Sequence, residues 1–420
     1  MKNKLIMVAA AAAIVTLGLA GCSASSPAST KKTTLTVVGW KGQGANLADI
    51  PTLNKAFEKA YPNIKLDYTY VDDSNYTTYN NPRLAGGDAA DVIMVDTPEI
   101  RSWGKQGYLA NLSGLTAVSE QDSTYKADAG VGGETYAVVS ESTPVGLFTN
   151  LDLLKKDGIN SAPTDWPTFI KDLETLKSDG DGGLVLAQKN LFGGSAIMKL
   201  MASNFVASDW AENYDAGNTT FGKSWGQSIS ELKELFDKGL VDPKLSLGLD
   251  ENVDAPPQFE AGKWAFMPTG SWELSTLKSA TKENIAFIPF PGGAKGSQPK
   301  TFVFVGTGWA INAKTKNSAA AKDYINFMSE PKQAEAYLKA DSAFSTLKDV
   351  KSPNVPEDAA VVKAAADGDM LPSTIDDLNS TGAATAFNTA IENLFINPSL
   401  TTSDELKTLN STVTPTPPTK

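Results

Sequence analysis

The sequence predicts an α/β protein with more than one domain, in which mainly parallel sheets are flanked by helices. Apolar segments of strand type alternate along the chain with segments of helical periodicity, as in strand–helix–strand units. The 420 residues exceed a single core at roughly 150 residues per domain. The content of 41% hydrophobic and 20% charged residues is typical of a globular protein and excludes a disordered chain or a membrane protein with many spans.

The first α/β segment runs from residue 35 to residue 95. Its predicted elements are a strand Leu35–Gly39, a helix from Ile50 to Tyr61 stopped by Pro62, a strand Ile64–Tyr70, a helix through Arg83 and Leu84 ending at Gly86-Gly87, and a buried strand Asp91–Val95. Right-handed crossovers between these strands give a largely parallel sheet, with its binding crevice beyond the carboxyl ends of the strands. Trp40 and Asp96 follow the first and third strands, so we expect them at that edge.

A second α/β segment begins near Gly146. Its predicted elements are a helix opened by Asp165-Trp166-Pro167, a helix with Ile229, Leu232 and Phe236 on one face, strands Ile285–Ile288 and Phe302–Val305, and helices through Ala321–Met328 and Ala384–Phe395. The same alternation of element types indicates a second α/β unit.

The composition excludes several kinds of chemistry. The chain has no histidine, and Cys22 is its one cysteine. This excludes Ser-His-Asp and Cys-His catalysis, His-containing zinc sites, an internal disulfide and a thiolate metal cluster. The net charge of −11 argues against nucleic acid, which needs a basic surface. We expect no catalytic residue, no cofactor and no metal.

Two short motifs suggest sites that their context does not support. Asp179-Gly-Asp-Gly-Gly183 resembles part of a calcium loop but lacks the third ligand and the distant glutamate, so we predict a plain turn. Gly42-Gln43-Gly44 lacks the third glycine of a dinucleotide-binding loop, so we predict a loop at the edge of a cleft.

Residues 1–21 have the pattern of a lipoprotein signal peptide. Lys2 and Lys4 precede an apolar run of ~16 residues, shorter than the ~20 that span a membrane. Leu19-Ala-Gly-Cys22 resembles the bacterial lipobox, whose cysteine is acylated; an ordinary signal peptide with a chance cysteine is the alternative. We predict a lipid on Cys22, a flexible tether over residues 22–33, and a protein anchored on the outer face of the cytoplasmic membrane. The Thr- and Pro-rich residues 411–420 predict a disordered tail.

Four stretches of the chain resemble motifs of one protein family. They are Leu84–Asp96 with Gly104–Ser113, Tyr136–Asn150 with Thr164–Trp166, Phe259–Trp272, and Gly306–Ile311 leading into Ala319–Met328. In this order they are similar to the extracellular carbohydrate-binding proteins of bacterial ATP-binding-cassette (ABC) importers, family 1 solute-binding proteins that include maltose-binding protein. Ala90 departs from the family's proline, and Phe148-Thr149 departs from its Tyr-Tyr. The resemblance runs from Leu35 to about Leu347 and is loose beyond it.

The resemblance implies a two-lobed, type II periplasmic-binding-protein-like fold with hinge strands that cross near residues 138–144 and 302–306. The first lobe would comprise residues 34–139 and 305–339, and the second residues 140–304 and 340–410. It also implies a monomeric receptor, not an enzyme, that closes on a mono- or oligosaccharide and delivers it to the permease of an ABC transporter. Gly306 and Gly308 suit a hinge whose dihedral angles change as the lobes close.

Six residues are predicted to contact the sugar. They are Trp40, Lys41, Asp96, Glu141, Trp272 and Trp309. Trp272 matches a family tryptophan that stacks on the sugar, while Trp40 and Lys41 follow the first strand, where the family has ligand contacts. Asp96 and Glu141 match acidic contacts to sugar hydroxyls.

Five of these side chains, all except Lys41, have a structural alternative. The tryptophans could be core residues, Asp96 could cap a helix and Glu141 could be a surface charge at the hinge. Among the other aromatic residues, we expect packing roles for Trp103, Trp166, Trp225 and Trp264, and we leave Trp210 and Tyr214 open.

Two other functions remain open from the sequence. A receptor of the same fold for a polyamine would need several carboxylates, to which Asp96 and Glu141 could contribute. A cell-surface glycosidase needs a carboxylate pair and no histidine, although no spacing here selects such a pair. An anionic ligand would call for arginines at the cleft, and neither Arg83 nor Arg101 occupies a predicted cleft position.

Overall fold

The structure is a computed structural model that describes residues 32–43, 48–126, 128–372, 375, 377–380 and 382–417. The predicted signal peptide and Cys22 lie outside these residues. The strands of the described residues are β1 (Thr33–Gly39), β2 (Ile64–Tyr70), β3 (Val92–Val95), β4 (Gly130–Val131), β5 (Glu134–Thr135), β6 (Ala137–Val139), β7 (Glu141–Asn150), β8 (Gly182–Leu184), β9 (Trp264–Gly270), β10 (Ile285–Ile288), β11 (Thr301–Val305), β12 (Gly308–Ile311), β13 (Phe344–Ser345) and β14 (Met370–Pro372).

The α-helices of the described residues alternate with these strands. They are α1 (Ile50–Ala60), α2 (Asp73–Gly86), α3 (Thr97–Lys105), α4 (Thr116–Glu120), α5 (Leu151–Lys156), α6 (Trp166–Asp179), α7 (Phe192–Ala202), α8 (Trp210–Asp215), α9 (Phe221–Ser224), α10 (Gly226–Asp237), α11 (Pro243–Gly248), α12 (Ala255–Glu260), α13 (Leu274–Ala280), α14 (Ser318–Met328), α15 (Pro331–Asp341), α16 (Ala359–Asp367), α17 (Ala383–Ile396) and α18 (Thr402–Thr412). None of the helices in the described ranges is both long and apolar enough to cross a membrane.

Local signals set the ends of α6. Asp165 caps α6 by accepting a hydrogen bond from the Thr168 amide at 2.9 Å. At the other end Gly180 adopts a left-handed conformation with φ of 85°, which glycine tolerates best. The segment Asp179–Gly183 therefore ends one helix and leads into β8, as the plain-turn interpretation predicts.

The first sheet has the strand order β2-β1-β3-β12-β6. β1 is parallel to β2 and to β3, as the sequence predicts, whereas β12 is antiparallel to both β3 and β6. Because Gly39 and Val95 end neighbouring parallel strands, Trp40 and Asp96 emerge at the same edge of this sheet.

The second sheet has the order β14-β11-β7-β9-β8, and β10 and β13 also pair with β7. β7 is antiparallel to β9, β10, β11 and β13, so this sheet is mixed and differs from the mainly parallel sheet that we predict. The reason is the connection between the lobes. β7 carries the chain from the first sheet to the second and β11 carries it back, so the two strands must run in opposite directions where they pair.

Separate hydrophobic cores divide the described residues into two lobes. The first core packs on the first sheet and includes Phe57, Trp103 and Tyr324. The second and third cores lie on the two faces of the second sheet: Leu147 belongs to one and its neighbour Phe148 to the other, as strand alternation requires. This arrangement is the two-lobed α/β fold that the sequence predicts.

The lobe limits differ from the predicted ones near the carboxyl end. The first core also contains Leu347 and Val350, which lie beyond the predicted limit at residue 339. The chain then returns to the second lobe, where Val355 packs against the third core. The chain thus crosses between the sheets at Ser140 and at Gly306–Thr307, whereas residues 341–355 contact both lobes, because β13 pairs with β7 of the second sheet.

The start of the predicted disordered tail is packed against the second lobe. Ser411 and Thr412 complete α18, and Val413 is 1% exposed within the second core. The Val413 carbonyl accepts a hydrogen bond from the Tyr214 hydroxyl at 2.7 Å, and Asp215 accepts one from the Thr416 amide at 3.1 Å. One apolar residue thus anchors a segment whose composition alone indicates disorder.

We predict that Asp91→Asn lowers the free energy of unfolding by about 2–4 kcal/mol at pH 7, because Asp91 is an ionised acceptor that joins three segments. It accepts hydrogen bonds from the backbone amide and the hydroxyl of Thr36, from the hydroxyl of Thr315 and from the side-chain amide of Asn317. Burial alone would raise the pKa of Asp91, but these hydrogen bonds outweigh it and lower that pKa below 3.8.

Urea denaturation at pH 7 and pH 3 checks this prediction. A folded-state pKa below the unfolded one gives stability that is present above the ordinary pKa and lost as the pH falls through the lowered pKa. The deficit of the variant should therefore shrink in acid. The exposed Asp67→Asn change is the control and should cost under about 0.5 kcal/mol. Equal stability of wild type and Asp91→Asn at pH 7 would contradict the role of Asp91.

Candidate functional site

A buried group of charges lies where the chain crosses between the lobes. The Lys41 ammonium is 2.6 Å from Glu141 Oε1 and 2.6 Å from Asp341 Oδ2. The Thr307 amide donates to the same Glu141 oxygen at 2.9 Å, and the Tyr337 ring centroid lies 5.2 Å from the ammonium. We call these five residues the hinge cluster. The cluster joins the loop after β1, the first crossing, the second crossing and the end of α15.

The hinge cluster holds two carboxylates against one ammonium, and all three side chains are at most 5% exposed. Burial would lower the pKa of Lys41, but attraction to Asp341 and Glu141 outweighs it and raises that pKa well above its ordinary value. Burial would likewise raise the pKa of Glu141, but attraction to Lys41 lowers it. Burial and repulsion by Glu141 raise the pKa of Asp341 to about 8.

The raised pKa of Asp341 favours its protonated form, and a proton there would leave the buried cluster without net charge. Glu141 Oε2 is buried and lacks a hydrogen-bond donor when both carboxylates are ionised. A proton on Asp341 provides that donor. A neutral, hydrogen-bonded cluster avoids the large cost of an uncompensated charge in the interior.

Gly306 allows the second crossing to approach the hinge cluster. Its amide donates to the Glu141 carbonyl at 3.0 Å. A Cβ atom at this position would lie 2.5 Å from Thr143 Oγ1 and 2.8 Å from Glu141 Oε1. The absence of a side chain is therefore what lets the two crossing strands pack this closely.

Trp40 and Asp96 lie at the edge of the first sheet that faces the hinge cluster, since Trp40 directly precedes Lys41. The Trp40 indole is partly exposed and packs edge-on against Tyr76, with 4.8 Å between ring centroids. Asp96 caps α3 and accepts a hydrogen bond from the Glu99 amide at 3.4 Å. The capping alternative for Asp96 is thus present.

Trp272 lies in the second lobe, in the turn after β9. Its indole covers Gly270, where a Cβ atom would be 1.8 Å from the ring. The ring is partly exposed and packs edge-on against Phe304 of β11, with 6.1 Å between centroids. Gly270 pairs with Val145 of β7 and Phe304 pairs with Thr143, so these two positions lie opposite points about 13 Å and about 7 Å along β7 from Glu141.

The structure buries the sixth predicted residue, Trp309, and the two aromatic residues that the sequence leaves open. Trp309 is fully buried in the first core, edge-on to Tyr324, so we leave it out of the proposed site. Trp210 and Tyr214 stack in the second core and are at most 3% exposed, which answers the question that the sequence leaves open. Among the residues that the structure describes, no group of three Asp, Glu, Cys or His side chains could hold a metal.

Sequence reasoning missed four members of this region, Asp341, Thr307, Phe304 and Tyr337, the last of which lies one helical turn before Asp341 on α15. Asp341 lies 200 residues from Glu141 in the chain, so no local pattern connects the two. Thr307 contributes only its backbone amide, which no residue type signals. Phe304 could have been found, because Phe302 and Phe304 share one face of a strand and lie next to a predicted crossing.

Comparison with known proteins identifies relatives of the chain. Residues 44–335 match the family described as bacterial extracellular solute-binding protein. The multiple sugar-binding protein of Streptococcus mutans is 26% identical over 79% of this chain and 80% of its own length. The melibiose/raffinose/stachyose-binding protein of Bacillus subtilis is 26% identical over 81% of this chain and 80% of its own length.

A solved structure has the same fold. The structure of a sugar transporter from Bacillus licheniformis, in complex with stachyose, has a TM-score of 0.73 and covers 91% of this chain and 99% of its own. Its sequence identity is 17%, so it establishes the fold alone.

We predict that Gly306→Ala lowers the free energy of unfolding by about 1–3 kcal/mol, because the new methyl group overlaps Thr143 and Glu141 in a closely packed region. Thermal and urea denaturation measure the change. Gly114→Ala is the matched control, because a Cβ atom there would meet nothing within 4 Å. A Gly306→Ala variant as stable as the control would show that the crossings are less closely packed than described.

A second prediction concerns the proton on Asp341. Between pH 3.8 and about 8, the folded protein keeps a proton that the unfolded chain has released, so the stability of the wild type falls as pH rises through this range. Asp341→Asn removes this dependence and can still donate a hydrogen bond to Glu141. In urea denaturation, we expect the free energy of unfolding of the variant to rise steadily relative to that of the wild type between pH 5 and pH 9. Parallel stability curves for the two proteins would exclude the shared proton.

Proposed function

Because the chain belongs to the family of bacterial extracellular solute-binding proteins, we propose that it captures a mono- or oligosaccharide between its two lobes. One observation carries the proposal: partly exposed indoles follow strand ends in different lobes, Trp40 after β1 and Trp272 after β9, on either side of the hinge cluster. Indole faces pack well against the C–H faces of a sugar ring, while carboxylates such as Asp96 accept hydrogen bonds from its hydroxyl groups.

The energy that such a site must supply is modest. A micromolar dissociation constant corresponds to about 8 kcal/mol, and hydrogen bonds to charged groups contribute about 1.5–3 kcal/mol each when water is excluded. Two ring faces and two or three such bonds suffice. Phe304 widens the apolar surface around Trp272, which favours a ligand longer than one ring. Lys41 and Glu141 are buried and bonded to each other, so we give them the role of holding the loop that carries Trp40 and leave them out of the direct sugar contacts.

We extend the proposal to delivery and anchoring. The ligand-loaded protein would dock on the permease of an ABC transporter, and a lipid on Cys22 would hold it at the outer face of the membrane. Both steps rest on family membership and on the Leu19–Cys22 motif. The sugar names borne by the relatives from Streptococcus and Bacillus support the ligand class.

A cationic ligand such as a polyamine is the second candidate, and one observation favours it: within the described residues, Glu251 Oε2 is buried without a hydrogen-bond donor. Glu251 of the second lobe has its pKa raised to about 7 by burial, with repulsion from Asp250 and from Asp73 of the first lobe adding to it. Carboxylates of both lobes thus repel each other, and a bound cation would relieve that repulsion.

Isothermal titration calorimetry separates these candidates. The purified protein is titrated with melibiose, raffinose, stachyose and other neutral oligosaccharides, and in parallel with spermidine and putrescine. Heat from one or more sugars, with the sugar recovered intact, supports the proposal. Heat from polyamines alone would support the second candidate function, a polyamine receptor. Cleavage of the sugar during the titration would favour a glycosidase.

We predict that Trp272→Ala weakens binding of the responding sugar by about 2 kcal/mol or more, roughly thirtyfold, because a stacking face is lost. Trp264→Ala is the matched control. Trp264 begins the same strand and is also partly exposed, but it lines a groove of about 320 Å³ formed by second-lobe residues such as Leu184 and Leu249. Unchanged affinity in Trp272→Ala, or an equal loss in the control, would remove Trp272 from the site.

A further inference from the structure

Arg101 connects the two lobes at a point outside the hinge cluster. It lies on α3 of the first lobe, whose neighbouring residues Ile100 and Trp103 belong to the first core. Its guanidinium Nη2 is 3.0 Å from Asp377 Oδ1, and the two side chains are 23% and 31% exposed. The sequence predicts no position at the cleft for Arg101, so this contact between the lobes is seen only in the structure.

Asp377 is held by the second lobe. Ile375 and Leu378, on either side of it, are 2% and 7% exposed within the second core. The Asn379 amide donates to Asp215 Oδ2 at 2.8 Å. Rotation of the second lobe would therefore carry Asp377 with it. Because the partners belong to different lobes, opening the lobes at this point would break the ion pair.

A competing carboxylate comes from the same lobe as Arg101. Asp128 Oδ1 lies 3.4 Å from the guanidinium, and its neighbour Ala129 belongs to the first core. Burial and repulsion by Asp377 raise the pKa of Asp128 to about 6, against the attraction of Arg101. Asp128 thus competes with Asp377 for the Arg101 guanidinium without joining the two lobes. It also repels Asp377, which does join them.

We propose that Arg101 and Asp377 form an interlobe latch, a positioning pair that stabilises the closed arrangement and slows release of the ligand. The latch is linked to the site through α3, which begins at Asp96. A ligand that prefers the closed state gains affinity from any contact made only in that state. The effect on release rests on the proposed function, whereas the effect on lobe arrangement does not.

Spin-label distance measurements test the latch without a ligand. Cys22 is the one native cysteine, so in a Cys22→Ser background Lys59→Cys and Lys282→Cys place one label on an exposed position of each lobe. Double electron–electron resonance then reports the populations of short and long interlobe distances. Arg101→Gln should shift their ratio about threefold to tenfold towards the long distance, the range expected for a partly buried ion pair.

Two further variants distinguish a latch from a merely structural arginine. Asp128→Asn removes the competitor and should shift the ratio towards the short distance, the opposite sign. The charge exchange Arg101→Asp with Asp377→Arg should restore the wild-type ratio. Raising the salt concentration should favour the long distance in wild type and have less effect in Arg101→Gln. Arg83→Gln is the control, because Arg83 bonds within α2, to the Tyr79 carbonyl.

Sugar release provides the second measurement. If calorimetry identifies raffinose or stachyose as a ligand, stopped-flow fluorescence should show faster release from Arg101→Gln and slower release from Asp128→Asn. Equal distance distributions in wild type and Arg101→Gln, or shifts of the same sign in both single variants, would overturn the latch. If no sugar binds, the proposed function fails while the distance measurements still decide on the latch.

Discussion

The burial of one ammonium group determines how the two lobes are joined. Lys41 leaves the end of β1 and meets Glu141 and Asp341 in an interior where an isolated charge would be very costly. Its partners come from the first crossing and from the end of α15. Glu141 also accepts a hydrogen bond from the backbone amide of Thr307 in the second crossing. The position of Trp40, one residue before Lys41, follows from the same bonds.

This arrangement divides the connection into a fixed part and a movable part. β7 is hydrogen-bonded to four strands, so the first crossing continues directly into the framework of the second lobe. Gly306 and Thr307 separate β11 from β12, and their backbone groups bond to the first crossing, the Gly306 amide to the Glu141 carbonyl and the Thr307 carbonyl to the Ser140 amide. Rotation between the lobes can therefore be absorbed in a few residues around the hinge cluster, while both sheets stay intact.

Much of the fold follows from local patterns. The alternation in Ile64–Tyr70, the cap at Asp165 and the glycine after α6 each act within a few residues, so their elements lie where the sequence indicates. Strand direction in the second sheet could not be predicted, because it depends on β7 and β11 carrying the chain in opposite senses. Whether residues 411–417 are ordered depends on a tertiary contact of Val413, and the composition of the segment does not reveal that contact.

The site was predictable in a similar, partial way. Trp40 and Asp96 follow from the rule that crevices lie at the ends of parallel strands. Whether Trp309 faces a cleft or the core depends on which side of β12 meets α14, and that is set by pairing with β3 and β6. The raised pKa of Asp341 depends on three segments, far apart in sequence, that pack together in one buried space.

The direction of β1 has a mechanical consequence. The described chain enters this strand at Thr33 and leaves it beside Trp40, so whatever precedes residue 32 is attached about 20 Å away, at the opposite rim of the first sheet. A pull from a membrane would act on that half of the molecule alone. The second lobe would remain free to rotate, and the opening between the two lobes would stay accessible to diffusing solutes.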